Sequence, residues 1–142
     1  MDARRWIYAG LDTVFALAYA IAIVKVIPNR LPSAQLHLWT IPIAMTAMAA
    51  GTFMGNRSGW YVALIGGSLL LLSTILVILR ILISAAFLAG VYGAFGKAAA
   101  TFSLMAIAIV VEVVVLLPIV QVKFLMSRAG RRAYGAPATG LR

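Results

Sequence analysis

Two acidic side chains stand in positions where they could carry chemistry. Glu112 lies in the apolar run IVVEVVVLLP, and Asp12 lies within another apolar run near the start of the chain. A carboxylate that faces lipid costs about 3 kcal/mol or more, so we expect each acid to face a protein interior or a partner. Buried acids of this kind also mark proton and ion paths, which makes both residues candidates for a relay.

Arg80 is the third candidate, since it is the one charged residue in the long apolar segment from Trp60 to Phe95. If Trp60 marks one membrane interface, Arg80 lies about 30 Å along the helix and snorkels to the opposite headgroups. If the helix is displaced outward, Arg80 instead reaches the level of Glu112 and pairs with it. Glu112, Asp12 and Arg80 together form the predicted proton or ion relay.

The sequence offers few residues for metal binding or catalysis. There is no cysteine and a single histidine, His37, so we expect no metal site and no cofactor. The chain has no glycine-rich phosphate loop, no HExxH sequence and no pairing of a nucleophile with a base. We therefore predict that the protein is not an enzyme.

The composition indicates an integral membrane protein. Hydrophobic residues make up 64% of the 142 residues, and the mean hydropathy is +1.06. About half is usual for a soluble domain, and several segments here exceed the roughly 18 apolar residues at which a membrane span becomes the expected interpretation. The fold class predicted is an all-α integral membrane protein.

The formal charge of +9 has two readings, nucleic acid or the membrane surface. Because no polar domain carries the charge, we expect no nucleic-acid partner. The basic residues gather at the ends of apolar runs, which is typical of contact with anionic lipid headgroups. Arg128, Arg131 and Arg132 are the predicted headgroup contacts.

Hydropathy and turn residues divide the chain into a transmembrane domain, residues 1–127, and a basic flexible cytoplasmic tail, residues 128–142. The domain is predicted to be an antiparallel bundle of four transmembrane helices. Their spans are about 6–26, 36–54, 60–83 and 98–122.

Two parts of this division stay open. The segment 60–97 is too long for one span and too short for two, and we interpret its second half as an extension at the outer surface. The first span has the alternative of a cleaved signal peptide, because Arg4 and Arg5 precede it and Ala20-Ile21-Ala22 resembles a cleavage site. Asp12 would interrupt the apolar region of such a peptide.

Orientation follows from the distribution of basic residues. Eight of them fall at the N-terminus, in the 55–59 turn or in the C-terminal tail, and three or four fall on the other side. The positive-inside rule therefore places both termini in the cytoplasm. We expect a cell membrane location, and the wide use of Ala, Gly, Val and Arg suggests a bacterial inner membrane.

Small residues recur at a helical spacing in the second span, at Ala47, Gly51 and Gly55. This spacing lets two helix backbones approach closely in lipid. The partner helix lies either in the same chain or in another subunit, and the spacing alone leaves both open.

Two functions fit these features. The first is a non-enzymatic accessory, assembly or regulatory component of a larger membrane complex, with other membrane subunits or further copies of itself as partners. The second is a small oligomeric channel or proton-coupled carrier that uses Glu112 and Asp12. The sequence shows no internal repeat or discontinuous helix pair, which favours the first function.

Overall fold

The computed structural model describes residues 3–25, 32–110 and 114–136, apart from the side chains of 32–34, 37 and 110. This part of the chain contains six helices and no strand, so the all-α prediction is confirmed for it. The helices are α1 (Ala3–Lys25), α2 (Pro32–Met54), α3 (Arg57–Val91), α4 (Gly93–Val110), α5 (Leu116–Met126) and α6 (Arg128–Ala133).

Two of these helices, α1 and α3, are long and apolar enough to cross a membrane, by length and composition. Consecutive helices from α1 to α4 pack side by side, α5 packs on α3, and α6 packs on α5. A central cluster of buried side chains joins α1, α2 and α3. Its members are Ala16, Ile41, Ala44, Met45, Met48 and Leu70.

Glycine allows α2 and α3 to approach closely. A Cβ on Gly51 would lie 2.5 Å from the backbone nitrogen of Ala63 and from the carbonyl oxygen of Gly59. Ala47 is half-buried, and Gly55 lies after the end of α2, where its φ of 59° favours glycine. Gly51 therefore serves packing within this chain, whereas Gly55 serves the turn.

Helix α3 runs on past Ile83, where the hydropathy pattern placed the end of the third span, and reaches Val91. Asn56 caps its first turn, since the side-chain oxygen accepts a hydrogen bond from the backbone N–H of Gly59 at 2.7 Å. No proline interrupts the segment, and the chain reverses only at Gly93, whose φ is 55°. The predicted outer extension is thus the continuation of α3 and the start of α4.

Helices α4 and α5 cover most of the segment predicted as a single fourth span, 98–122. Helix α4 is described as far as Val110, residues 111–113 lie outside the described residues, a π-helical turn occupies 114–115, and α5 begins at Leu116. Pro118 explains the π-helical turn, because its ring would clash with the carbonyl group four residues earlier in a regular α-helix. The wider turn before Pro118 accommodates that ring.

The predicted flexible tail, 128–142, begins with a folded segment. Helix α6 follows α5 directly, and the Ser127 hydroxyl oxygen accepts a hydrogen bond from the backbone N–H of Gly130 at 3.1 Å. Tyr134 then packs into a second buried cluster with Trp60. These contacts make the segment up to Ala136 part of the fold, and the rest of the tail lies outside the described residues.

Candidate functional site

A buried polar pair joins the first helix to the fifth. Gln121 Nε2 donates a hydrogen bond to Asp12 Oδ2 at 3.0 Å. Asp12 is 2% exposed and Gln121 is 3% exposed. The two residues lie 109 positions apart in sequence, and the bond gives a partner to the carboxyl group that the sequence placed inside an apolar helix.

Helical periodicity brings both residues to the interior. On α1, Asp12 lies on the same buried face as Ala9 and Ala16, at spacings of three and four residues. On α5, Gln121 shares its buried face with Pro118 and Leu125. Gln121 was missed in the sequence, although an amide three residues after Pro118 and four before Leu125 in an apolar run was a usable signal.

The Gln121 side chain has one further feature. Its Oε1 atom is buried and has no hydrogen-bond partner in the part of the chain that the structure describes. This oxygen belongs to the same amide that donates to Asp12, so it lies close to the carboxylate. An unsatisfied buried acceptor of this kind costs about 1–3 kcal/mol.

A second buried polar pair lies near the first. The hydroxyl groups of Tyr134 and Thr52 share a hydrogen bond, and both residues are buried. Burial raises the pKa of the Tyr134 phenol above its ordinary value of 10.0, whereas the bond with Thr52 and the charge of Arg5 lower that pKa. The charge of Asp12 also raises this pKa.

Arg5 closes this end of the bundle. Its Nη1 donates a hydrogen bond to the carbonyl oxygen of Gly55 at 3.5 Å, and its guanidinium carbon lies 5.5 Å from the centre of the Trp6 ring. A Cβ on Gly55 would collide with the Arg5 side chain. Glycine at this position therefore provides the space that the guanidinium group occupies.

Aromatic side chains fix the C-terminal segment to the same end. Trp60 Nε1 donates a buried hydrogen bond of 2.8 Å to the carbonyl oxygen of Leu125. The rings of Tyr8 and Phe124 have their centres 5.9 Å apart. The start of α1, the α2–α3 turn and the C-terminal segment thus meet at one end of the molecule, which we call the basic end. The basic residues at this end are Arg4, Arg5, Arg57, Lys123, Arg128, Arg131 and Arg132.

The three predicted relay residues do not form one described cluster. Asp12 pairs with Gln121, whereas Arg80 is exposed on α3. Arg80 lies about 30 Å along α3 from Trp60, and Asp12 lies only about 10 Å along α1 from Arg5. Glu112 lies outside the described residues, so its pairing with Arg80, the alternative to snorkelling, is not tested.

The other predicted contacts are distributed as follows. Arg128 and Arg132 are exposed on α6, and Arg131 is half-buried.

Among the described residues, no group of three His, Asp or Glu side chains is placed to hold a metal ion. An open groove of about 250 Å³ lies between α1 and α2. Residues such as Leu17, Trp39 and Ile43 line it, and Asp12 does not.

Comparison with known proteins adds no assignment. The chain matches no protein-family model, no curated protein and no solved structure.

Proposed function

We propose that the protein is a non-enzymatic accessory component of a larger membrane complex, built as a four-span bundle with the basic end in the cytoplasm. The lengths and apolar composition of α1 and α3 support membrane insertion. Seven Lys and Arg residues lie at the basic end, and the other basic residues described are Lys25, Arg80 and Lys97. Under the positive-inside rule, this asymmetry supports the cytoplasmic placement.

The observation that carries the proposal is the length of the α3–α4 hairpin. From Trp60 to Val91, α3 is about 47 Å long, whereas the hydrocarbon core of a bilayer is about 30 Å thick. Even at a steep tilt of about 40°, this stretch rises about 36 Å. With Trp60 at the cytoplasmic interface, the core ends near Arg80 for an upright helix and near Ala86 at that tilt. In both cases Phe87 and Phe95 lie in the part of the hairpin that projects from the membrane.

The projecting part, residues 81–97, is apolar and uncovered. We call it the hairpin tip. Large apolar side chains dominate its surface, and Phe95 is 78% exposed. The exposed members are Leu82, Ile83, Phe87, Val91, Tyr92 and Phe95. Lipid tails cover apolar side chains within the membrane core but not beyond it, and exposed apolar patches of this kind mark protein interaction sites. A protein partner therefore accounts best for the hairpin tip.

Affinity purification from native membranes in a mild detergent tests this function. Wild-type protein should retain a larger membrane subunit at constant stoichiometry. The double variant Phe87→Ser/Phe95→Ser should lose that subunit, because it removes the most exposed aromatic rings of the hairpin tip. Val14→Ser/Leu17→Ser is the matched control, since both residues are exposed on α1 within the expected membrane core.

The outcome of this purification separates the alternatives. Retention of the subunit by the control together with its loss from the tip variant supports the proposal. A pure homo-oligomer in every sample contradicts the accessory role. Equal retention by the tip variant and the wild type contradicts the role of the hairpin tip.

A proton-coupled carrier is the second candidate, and the Asp12–Gln121 pair favours it. The buried carboxylate lies beside the unpartnered Gln121 oxygen, so a proton or a small cation at this point would satisfy both groups. Purified protein in liposomes should then move protons or a monovalent cation. Transport that survives both Asp12→Asn and Glu112→Gln would exclude these acids as coupling residues.

A further inference from the structure

The C-terminal segment presents its charges from a fixed position. Only Ser127 separates α5 from α6, and its hydroxyl donates to the carbonyl oxygen of Phe124 at 2.6 Å. Tyr134 is 2% exposed beside Trp60. Because both ends of α6 are held in this way, its basic side chains form a defined surface.

This surface carries a charge that the chain itself cannot neutralise. Arg128 and Arg132 lie four residues apart and are both exposed, so they project from one side of α6. Three exposed basic residues of other elements share the same end of the molecule. We call these five exposed residues of the basic end the basic face: Arg4, Arg57, Lys123, Arg128 and Arg132. The whole sequence has only three acidic residues.

We propose that the basic face binds the headgroups of anionic phospholipids and that these headgroups hold α6 against the bundle. This inference rests on the proposed membrane topology, in which α5 leaves the membrane directly before Arg128. The side chains of α6 then lie at headgroup level. Guanidinium groups bind phosphate oxygens through paired hydrogen bonds, and basic clusters next to a span attract anionic leaflets.

Hydrogen exchange in lipid nanodiscs tests the proposal. The probe is the full chain in discs of phosphatidylcholine alone or of phosphatidylcholine with phosphatidylglycerol, and the measurement is exchange at the amides of residues 129–136. Each headgroup contact by a basic residue should shift the opening equilibrium about fivefold. Two contacts on α6 should therefore slow exchange about 25-fold in the anionic discs.

Charge-matched variants separate the basic face from general electrostatics. Arg128→Gln/Arg132→Gln should lose the protection given by anionic lipid. Arg80→Gln/Lys97→Gln removes the same charge at the other end of α3 and α4, where both residues are exposed, and should keep that protection. At about 1 M salt, where the Debye length is about 3 Å, the difference between the two disc types should disappear.

Three results would overturn the inference. Equal exchange in the two disc types would show that anionic headgroups do not hold α6. Equal loss in both double variants would show that the effect is not local to the basic face. Protection by a short DNA duplex in the phosphatidylcholine discs, equal to that by anionic lipid, would assign the surface to nucleic acid. Failure of the chain to enter discs would instead reject the membrane topology.

Discussion

Replacing Gln121 with leucine leaves the Asp12 carboxyl group buried without its described donor. The change removes the 3.0 Å bond between Gln121 Nε2 and Asp12 Oδ2 and keeps a side chain of similar size. A buried polar group that loses its hydrogen-bond partner costs about 1–3 kcal/mol. The leucine also removes the unpartnered Oε1 atom, which offsets part of that loss. We expect the free energy of unfolding to fall by about 1 kcal/mol.

Substitutions at Asp12, alone and combined with Gln121→Leu, show whether the loss of stability comes from the Asp12–Gln121 contact. Asp12→Ala should also destabilise the protein, because it leaves the buried Gln121 amide without an acceptor. The double variant Asp12→Ala/Gln121→Leu should be more stable than the sum of the single changes predicts, since buried polar pairs replaced on both sides cost little. The coupling energy of the double-mutant cycle should therefore be about 2 kcal/mol.

Unfolding of the purified protein in mixed micelles by added sodium dodecyl sulfate measures these free energies. Gln35→Leu is the matched control, because Gln35 is an exposed glutamine on α2, and its free energy of unfolding should stay within about 0.5 kcal/mol of wild type. A coupling energy near zero, or equal effects of Gln121→Leu and Gln35→Leu, would refute the assignment of the pair as the contact that holds α5 to α1.

Three further predictions follow from single contacts. Gly51→Ala should destabilise the chain by about 1–3 kcal/mol, because the added Cβ would collide with the α3 backbone. Gly10→Ala should stabilise the chain slightly, because a Cβ at Gly10 has nothing within 4 Å. Thermal unfolding measures both effects. Trp60→Phe should cost about 1 kcal/mol through loss of the bond to Leu125 and should speed exchange at residues 127–136. Since burial raises the pKa of Tyr134, its contribution to stability is complete below pH 10 and is lost as pH rises through the folded pKa. The difference in stability between wild type and Tyr134→Phe should therefore shrink above pH 10 in a pH series of unfolding curves, and a constant difference would contradict this.

The helical class could be predicted from the long apolar segments, because an α-helix in lipid satisfies the hydrogen bonds of its backbone within the segment. The length of α3 could not be predicted as directly. An average span has about 20 residues, but no proline interrupts α3, which continues to Val91 with Tyr92 as its C-cap before the chain reverses at Gly93. The extra length then defines the hairpin tip on which the proposed function depends.

The polar contacts of the site were only half predictable. Asp12 was identified because a charge in an apolar helix is conspicuous, whereas Gln121 has no charge to mark it. Tyr134 was placed in a flexible tail because its neighbours are small and basic. Its burial depends on contacts with α2 and α3 that only the tertiary structure brings together. Residues distant in sequence supply half of each buried pair, and helical spacing alone cannot show them.

Site-specific photocrosslinking tests the central claim most directly. A benzoylphenylalanine replaces Phe95 at the hairpin tip or Val14 on α1, which are 78% and 63% exposed, and cells are irradiated before the membranes are isolated. We predict that the probe at Phe95 forms a covalent adduct with a larger membrane protein and that the probe at Val14 does not. Adducts that contain only further copies of this chain, or no adduct at Phe95, would contradict the accessory function.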